Sequence, residues 1–269
     1  MAILPRRRQR DTDGTPRRQR IFRRRPLEQR GTMTLLEHLE ELRSRLIWIF
    51  AAVSVAAIAG WILFDRTVDF LLEPARPYLK DLTNGKLIFT SPIEAFTLRV
   101  KVAFYIGFAI AFPVVLFHVW RFVSPGLRRN ERRWAYWFIA AGWLLFLGGA
   151  WFGWYTMPNA LRYLISGHIT GANVRPLLGA KSYIDFSLLY VVAFGLGFEF
   201  PMGVISAALI GAVNSKQMAK YRRHVFMGLA VASAVLTPSV DWFTMTALTV
   251  ALYVLYEACI WVTKLVLRR

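Results

Sequence analysis

Three acidic side chains could do chemistry here, one within an apolar block and two beside arginines. Glu199 lies within Phe194-Gly-Leu-Gly-Phe-Glu-Phe-Pro201, near the middle of a long apolar block. On insertion scales an acidic group at the centre of a membrane-spanning helix costs about 2.5–3.5 kcal/mol, so it should face protein or a watery cavity. Two residues on, Pro201 has no N–H and leaves the Gly197 carbonyl without its usual helical donor. Two readings follow: a protonated Glu199 hydrogen-bonded inside a helix bundle, or a functional polar pocket, as in a proton-coupled solute carrier. Glu41 precedes Arg45 by four residues, the spacing of a local helical ion pair worth a few tenths of a kcal/mol. Glu131 is enclosed in Arg128-Arg-Asn-Glu-Arg-Arg133, whose cations can neutralise it. Both are either solvated surface groups or contacts for a cationic ligand.

Catalytic constellations are not found. Gly179-Ala-Lys-Ser182 lacks the spacing of a phosphate-binding G-x-x-x-x-G-K-[ST] loop. Histidines 38, 118, 168 and 224 are scattered without metal-ligand spacing. Neither G-x-S-x-G nor H-E-x-x-H occurs. Cys259 is the one cysteine and sits in an apolar block, so no intrachain disulfide can form. No catalytic residue, cofactor or metal is expected.

The elements that must hold these carboxylates are membrane helices. Of 269 residues, 56% are hydrophobic, and mean hydropathy is +0.39. A soluble domain is nearer 45–50% apolar, and here the apolar residues are gathered into six blocks: Leu46–Phe64, Ala103–Trp120, Ala135–Met157, Ile184–Ala212, Val225–Leu236 and Trp242–Val262. A span needs roughly 20 residues for a 30 Å hydrocarbon core. The fifth block is too short for that unless its flanks, His224 and Thr237, enter the membrane or the bilayer thins. Many of the ten tryptophans lie near block ends, where rings meet headgroups. Before the first block, Thr34-Leu-Leu-Glu37 fits a capping box, and Leu35, Leu39, Leu42 and Leu46 recur at helical spacing. That pattern predicts an amphipathic helix on the membrane surface. Thr237-Pro-Ser-Val-Asp241 is a tight hairpin link between the last two blocks.

The formal charge of +18 is unevenly placed. The segment through Arg45, the Arg121–Trp134 loop, the Gly211–His224 loop and the C-terminus hold 25 of the 34 Lys and Arg residues, leaving 9 in the alternate connections. The positive-inside rule then puts both termini in the cytoplasm and closes six spans. Residues 1–33 hold eleven arginines and almost no aliphatics, which predicts a disordered cytoplasmic tail attracted to anionic lipid rather than a nucleic-acid-binding fold. That tail also lacks the apolar stretch of a cleavable signal peptide. The expected layout is tail 1–33, an all-α membrane domain 34–265 and a short basic end 266–269.

Several stretches, in order, resemble the TatC subunit family of the twin-arginine translocase. Glu37-His-Leu-Glu-Glu-Leu-Arg-Ser-Arg-Leu46 is similar to the family's E-H-L-x-E-L-R-x-R segment, and Phe122-Val-Ser-Pro-Gly-Leu-Arg-Arg-Asn-Glu-Arg-Arg133 to its F-x-x-P-x-L-x-x-x-E-R-R loop. Phe198-Glu-Phe-Pro201 matches F-E-x-P, and Leu236-Thr-Pro-Ser-Val-Asp241 resembles the L-T-P-x-D hairpin. The resemblance implies a glove-like concave bundle of six helices in the bacterial inner membrane. It also implies a receptor for twin-arginine signal peptides in proton-motive-force-driven export of folded proteins. TatA- and TatB-type single-span subunits, membrane lipid and further copies of the chain would be its partners. By motif position Glu41, Arg43, Phe122 and Glu131 would form the signal-recognition surface, and Glu199 the polar group on the inner wall. Pro74, Thr237 and Asp241 would serve fold or assembly on the outer side. Two guanidiniums facing two carboxylates can make charge-assisted, often bidentate, hydrogen bonds that lysine reproduces poorly. Trp242 and Met245 depart from the Pro and Gln of many members, and the arginine tail inherits no role.

Overall fold

A computed structural model describes residues 35–77, 88–89, 91–123, 135–165, 179–238 and 241–265. The expected tail 1–33, the basic end 266–269 and Glu131 lie outside the described residues. Two units divide the chain, Met1–Glu40 and Glu41–Arg269, and the packing below is that of the second. Among the described residues the architecture is helical: α1 Leu35–Ile62, α2 Phe64–Leu72, α3 Pro92–Val123, α4 Ala135–Ile165, α5 Ala180–Gly197, α6 Phe200–Leu209, α7 Ser215–Lys220, α8 Arg222–Leu236 and α9 Trp242–Leu265.

Among the described residues five stretches are long and apolar enough to cross a membrane: Leu39–Ile62, Pro92–Phe122, Tyr136–Ile165, Ala180–Leu209 and Trp242–Leu265. They cover the first, second, third, fourth and sixth apolar blocks. The fifth block is α8, which takes in Arg222, Arg223 and His224 yet stops at Leu236, 15 residues in all. At 1.5 Å per residue it rises about 22 Å, short of a ~30 Å core. Most observed helices outrun their apolar blocks, because backbone hydrogen bonding continues through polar flanks that hydropathy leaves out. The expected amphipathic helix and the first span fall within one helix, α1, in which Leu42 and Leu46 are exposed.

With lipid as apolar as leucine, close packing rather than water exclusion must join the helices. Glycines provide it. A Cβ on Gly149 of α4 would strike the Phe194 carbonyl of α5 and the Phe198 side chain, and one on Gly195 of α5 would strike Phe146 of α4. Between α1 and α3, Gly60 lies against the Ala103 backbone, and Gly107 against Ala57. The largest apolar cluster gathers Leu71, Leu98, Met157, Ile184, Phe194, Leu248, Leu252 and Tyr256. A smaller one holds Trp120, Phe138, Met202 and Leu209, with Trp120 and Phe138 at 4.3 Å between centroids.

Polar groups pin the helix ends. Glu94 of α3, 7% exposed, accepts from the Lys181 N–H at 3.1 Å and so caps the start of α5, where a carboxylate also suits the helix dipole. Lys101 and Asp185 join the same helices at 2.7 Å. Arg99 lies between the Trp61 and Phe64 rings, 5.0 Å from each centroid, which places its charge on aromatic faces.

Candidate functional site

The first candidate region is built on α1 and α3. Glu41 and Arg45 share a helical face and form the ion pair their spacing allows. Arg45 does more. Its Nη1 donates to the His118 carbonyl of α3 at 2.8 Å, and its guanidinium lies 5.8 Å from the Phe122 ring centroid. A flat guanidinium with several donors can hold a carboxylate and a carbonyl at once, which an ammonium point charge does poorly. Arg45 is buried, at 8% exposure, although it is charged, and its three contacts account for that. Glu41 keeps its Oε2 buried and without a hydrogen-bond partner among the described residues. Three of the four residues expected at a recognition surface are therefore described. Glu41 and Phe122 meet through Arg45, while Arg43, two residues from Arg45, is exposed on another face. Arg45 is the residue that sequence reasoning undervalued. Its signal was the second arginine of Leu42-Arg-Ser-Arg45, and only the α3 carbonyl gives it a reason to be buried.

The second region surrounds Glu199. Phe198 and Glu199 form a turn between α5 and α6, and Pro201 occupies the first turn of α6, where its missing N–H costs nothing. Glu199 caps the restart through its backbone carbonyl, which accepts from the Met202 N–H at 2.9 Å. Its half-buried side chain points at Gly142 of α4: a Cβ there would lie 3.2 Å from Oε2 and 2.9 Å from Leu116. Oε1 is buried and has no hydrogen-bond partner among the described residues. The helix break beside a carboxyl is thus present, with an apolar and glycine wall.

The third region is a buried polar chain joining α4, α5 and α9. Asp241, 1% exposed, accepts from the Thr244 N–H at 2.7 Å and from the Thr244 hydroxyl, and so caps α9. Thr244 is within hydrogen-bonding reach of Tyr190, whose hydroxyl meets Thr156 Oγ1 at 3.1 Å. Thr237 Oγ1 donates to the Ser233 carbonyl at 2.8 Å and turns the chain out of α8. Pro74 is buried in a 3-10 turn, Glu73–Ala75. The segment before it is held by Trp154 Nε1 donating to the Phe70 carbonyl at 3.1 Å and by the Tyr183 hydroxyl on the Leu71 carbonyl. Pro74, Thr237 and Asp241 sit at packed corners, and the Tyr190–Thr156 link was missed because its partners lie on different helices.

Residues 37–250 match the family model described as Sec-independent protein translocase protein (TatC). A Sec-independent protein translocase protein TatC from Koribacter versatilis is 36% identical over 239 residues, covering 87% of this chain and 86% of its own. One from Aquifex aeolicus is 33% identical over 238 residues, covering 88% of this chain and 97% of its own. A crystal structure of a twin arginine translocase receptor TatC in DDM superposes with a TM-score of 0.69 at 33% identity, over 85% of this chain and 100% of that one. These similarities lend no support to a solute carrier built around Glu199.

Proposed function

This chain belongs to the TatC family of Sec-independent protein translocase proteins, and from that premise we propose that it is the subunit that receives twin-arginine signal peptides at the cytoplasmic face of the inner membrane. As a family member it is a multi-pass component of protein transport rather than of catalysis. The finer reading adds α8 as a sixth crossing, both termini in the cytoplasm, single-span TatA- and TatB-type partners, association with further copies of itself, and export of folded cargo driven by the proton-motive force. The skew of Lys and Arg to alternate connections, 25 against 9, supports that orientation.

The observation that carries the receptor reading is the state of Glu41. One oxygen is held by Arg45, which is itself braced on α3 beside Phe122, and the other has no partner among the described residues. A carboxylate fixed in this way is oriented without first losing side-chain freedom, and its Oε2 is buried, so an incoming guanidinium would reach it only as the residues that cover it part. It would then share the carboxylate with Arg45, with Glu131 as the second acidic contact and Arg43 at the rim. The apolar stretch of the signal would then lie along the helices.

Removing a charge-assisted hydrogen bond costs about 1.5–3 kcal/mol, so Glu41→Ala and Glu131→Ala should each weaken signal-peptide binding roughly 10- to 100-fold. Site-specific crosslinking from position 130, beside an intact Glu131, to a synthetic signal peptide, with Arg-Arg compared against Lys-Lys and each alanine variant against the wild type, measures this. Loss of crosslinking with Lys-Lys is expected. Equal crosslinking of both peptides, together with undiminished export in both alanine variants at normal membrane levels, would falsify the receptor mechanism.

A further inference from the structure

A groove of about 880 Å³ opens where the α6–α7 connection meets the last turns of α9, lined among others by Asn214, Lys216, Arg222, Ile260, Trp261 and Lys264. Its walls are set by local chemistry. Gly211 takes φ 81°, a conformation that glycine adopts without steric cost, and the Ala212 N–H returns to the Ala207 carbonyl at 2.9 Å, which ends α6 in a Schellman-type turn. Asn214 then starts α7 with a reciprocal capping box, accepting from the Gln217 N–H at 2.9 Å. The Tyr256 hydroxyl ties α9 to the Met218 carbonyl of α7 at 2.9 Å. The groove is therefore braced on both sides.

Among the described residues three cations and no carboxylate line it. Arg222 is offset by Glu257, with Nε to Oε1 at 2.7 Å. Lys216 and Lys264 are exposed and have no acidic partner among the described residues. Lys264 Nζ stands 6.0 Å from the Trp261 ring centroid. Trp261 and Lys264 occupy the final turns of a helix apolar enough to cross a membrane, the depth at which tryptophan and lysine meet headgroups. Trp261 and, two turns earlier on the same face, Val254 are each 60% exposed, so apolar surface continues from the cations along the outside of α9.

We propose that this groove is a binding site for an anionic glycerophospholipid: Lys216 and Lys264 hold the phosphodiester, and Trp261 and Val254 receive the acyl chains. Two uncompensated cations beside an apolar strip at headgroup depth match the two ends of such a molecule, whereas free phosphate would use only the cations. The site is separate from Glu41 and Arg45, and it stands whether or not the receptor reading does.

The test is native mass spectrometry of the full chain in neutral detergent, titrated with phosphatidylglycerol or phosphatidylcholine. A cation near an anionic lipid surface is worth about fivefold in affinity, so Lys216→Gln with Lys264→Gln should reduce phosphatidylglycerol retention on the order of 10- to 30-fold and leave phosphatidylcholine unchanged. Arg66→Gln with Arg162→Gln removes two exposed cations elsewhere and should retain the preference. As a measurement that keeps every charge, bromine-labelled phosphatidylglycerol should quench the wild type more than Trp261→Phe, by a margin that bromine-labelled phosphatidylcholine does not produce. The proposal is overturned by any of these results: no preference for phosphatidylglycerol, equal loss in both double variants, displacement of the lipid by inorganic phosphate at matched concentration, or quenching indifferent to Trp261.

Discussion

At the scale of single residues, several buried polar groups of this chain are justified by their partners, while others, Glu199 Oε1 among them, have none among the described residues. Asp241 shows the first case most simply. Its carboxylate is almost fully buried because the Thr244 N–H and hydroxyl both donate to it, so it acts as the N-cap of α9. Asparagine keeps a carbonyl oxygen for the Thr244 N–H, while alanine leaves that donor unsatisfied. Asp241→Ala should therefore cost about 1–2 kcal/mol and Asp241→Asn distinctly less, an order that thermal melting in detergent will report. Equal losses would mean that the charge, not the cap, matters. The capping role was readable in principle from Asp241-Trp-Phe-Thr244, since a cap acts over three residues. The burial of Arg45 was not, because the carbonyl that receives it belongs to His118, 73 positions away.

At the scale of elements, the most extensive helix pairing among the described residues is between α4 and α5, and two adjacent glycines of α4 make opposite predictions. Gly149 faces α5, where a Cβ would meet the Phe194 carbonyl at 2.6 Å, whereas nothing lies within 4 Å of a Cβ on Gly148. Gly149→Ala should force the helices apart and cost about 1–3 kcal/mol, as other overpacking substitutions do. Gly148→Ala should be neutral or stabilising by up to about 1 kcal/mol, because alanine is the better helix former. Comparison of detergent melting temperatures for the two single variants decides it, and a larger loss at Gly148 would contradict the packing. Helix existence and type were legible in the apolar blocks. The break at Phe198–Glu199 was foreshadowed by Pro201, but which neighbour the break faces was not, since Gly142 and Leu116 belong to other helices.

For the whole molecule, α8 as the proposed sixth crossing fixes the side on which each end of the chain lies. Its 15 residues give it about 22 Å, and among the described residues five longer stretches are candidate spans by length and composition. Six crossings put the two ends of the chain on one side, and five put them on opposite sides. In a Cys259→Ala background, where the buried native thiol is removed, single cysteines near positions 2 and 268 should both be blocked by a membrane-permeant maleimide and spared by an impermeant one in intact cells. Labelling of one end only by the impermeant reagent would leave α8 as a re-entrant element.

What the sequence determined by itself was the class of molecule, the position of its helices, the charge asymmetry on which the proposed orientation rests and the family to which it belongs. These depend on composition and on contacts within a few turns, which a linear reading contains. The tertiary structure alone decided which buried polar atoms are paired: Arg45 with an α3 carbonyl, Tyr190 with Thr156, Glu94 with the start of α5. The physical reason is that a charged or polar group in an apolar bundle is tolerated through partners brought to it by helix crossings. Those crossings depend on small residues meeting small residues across long separations in the chain.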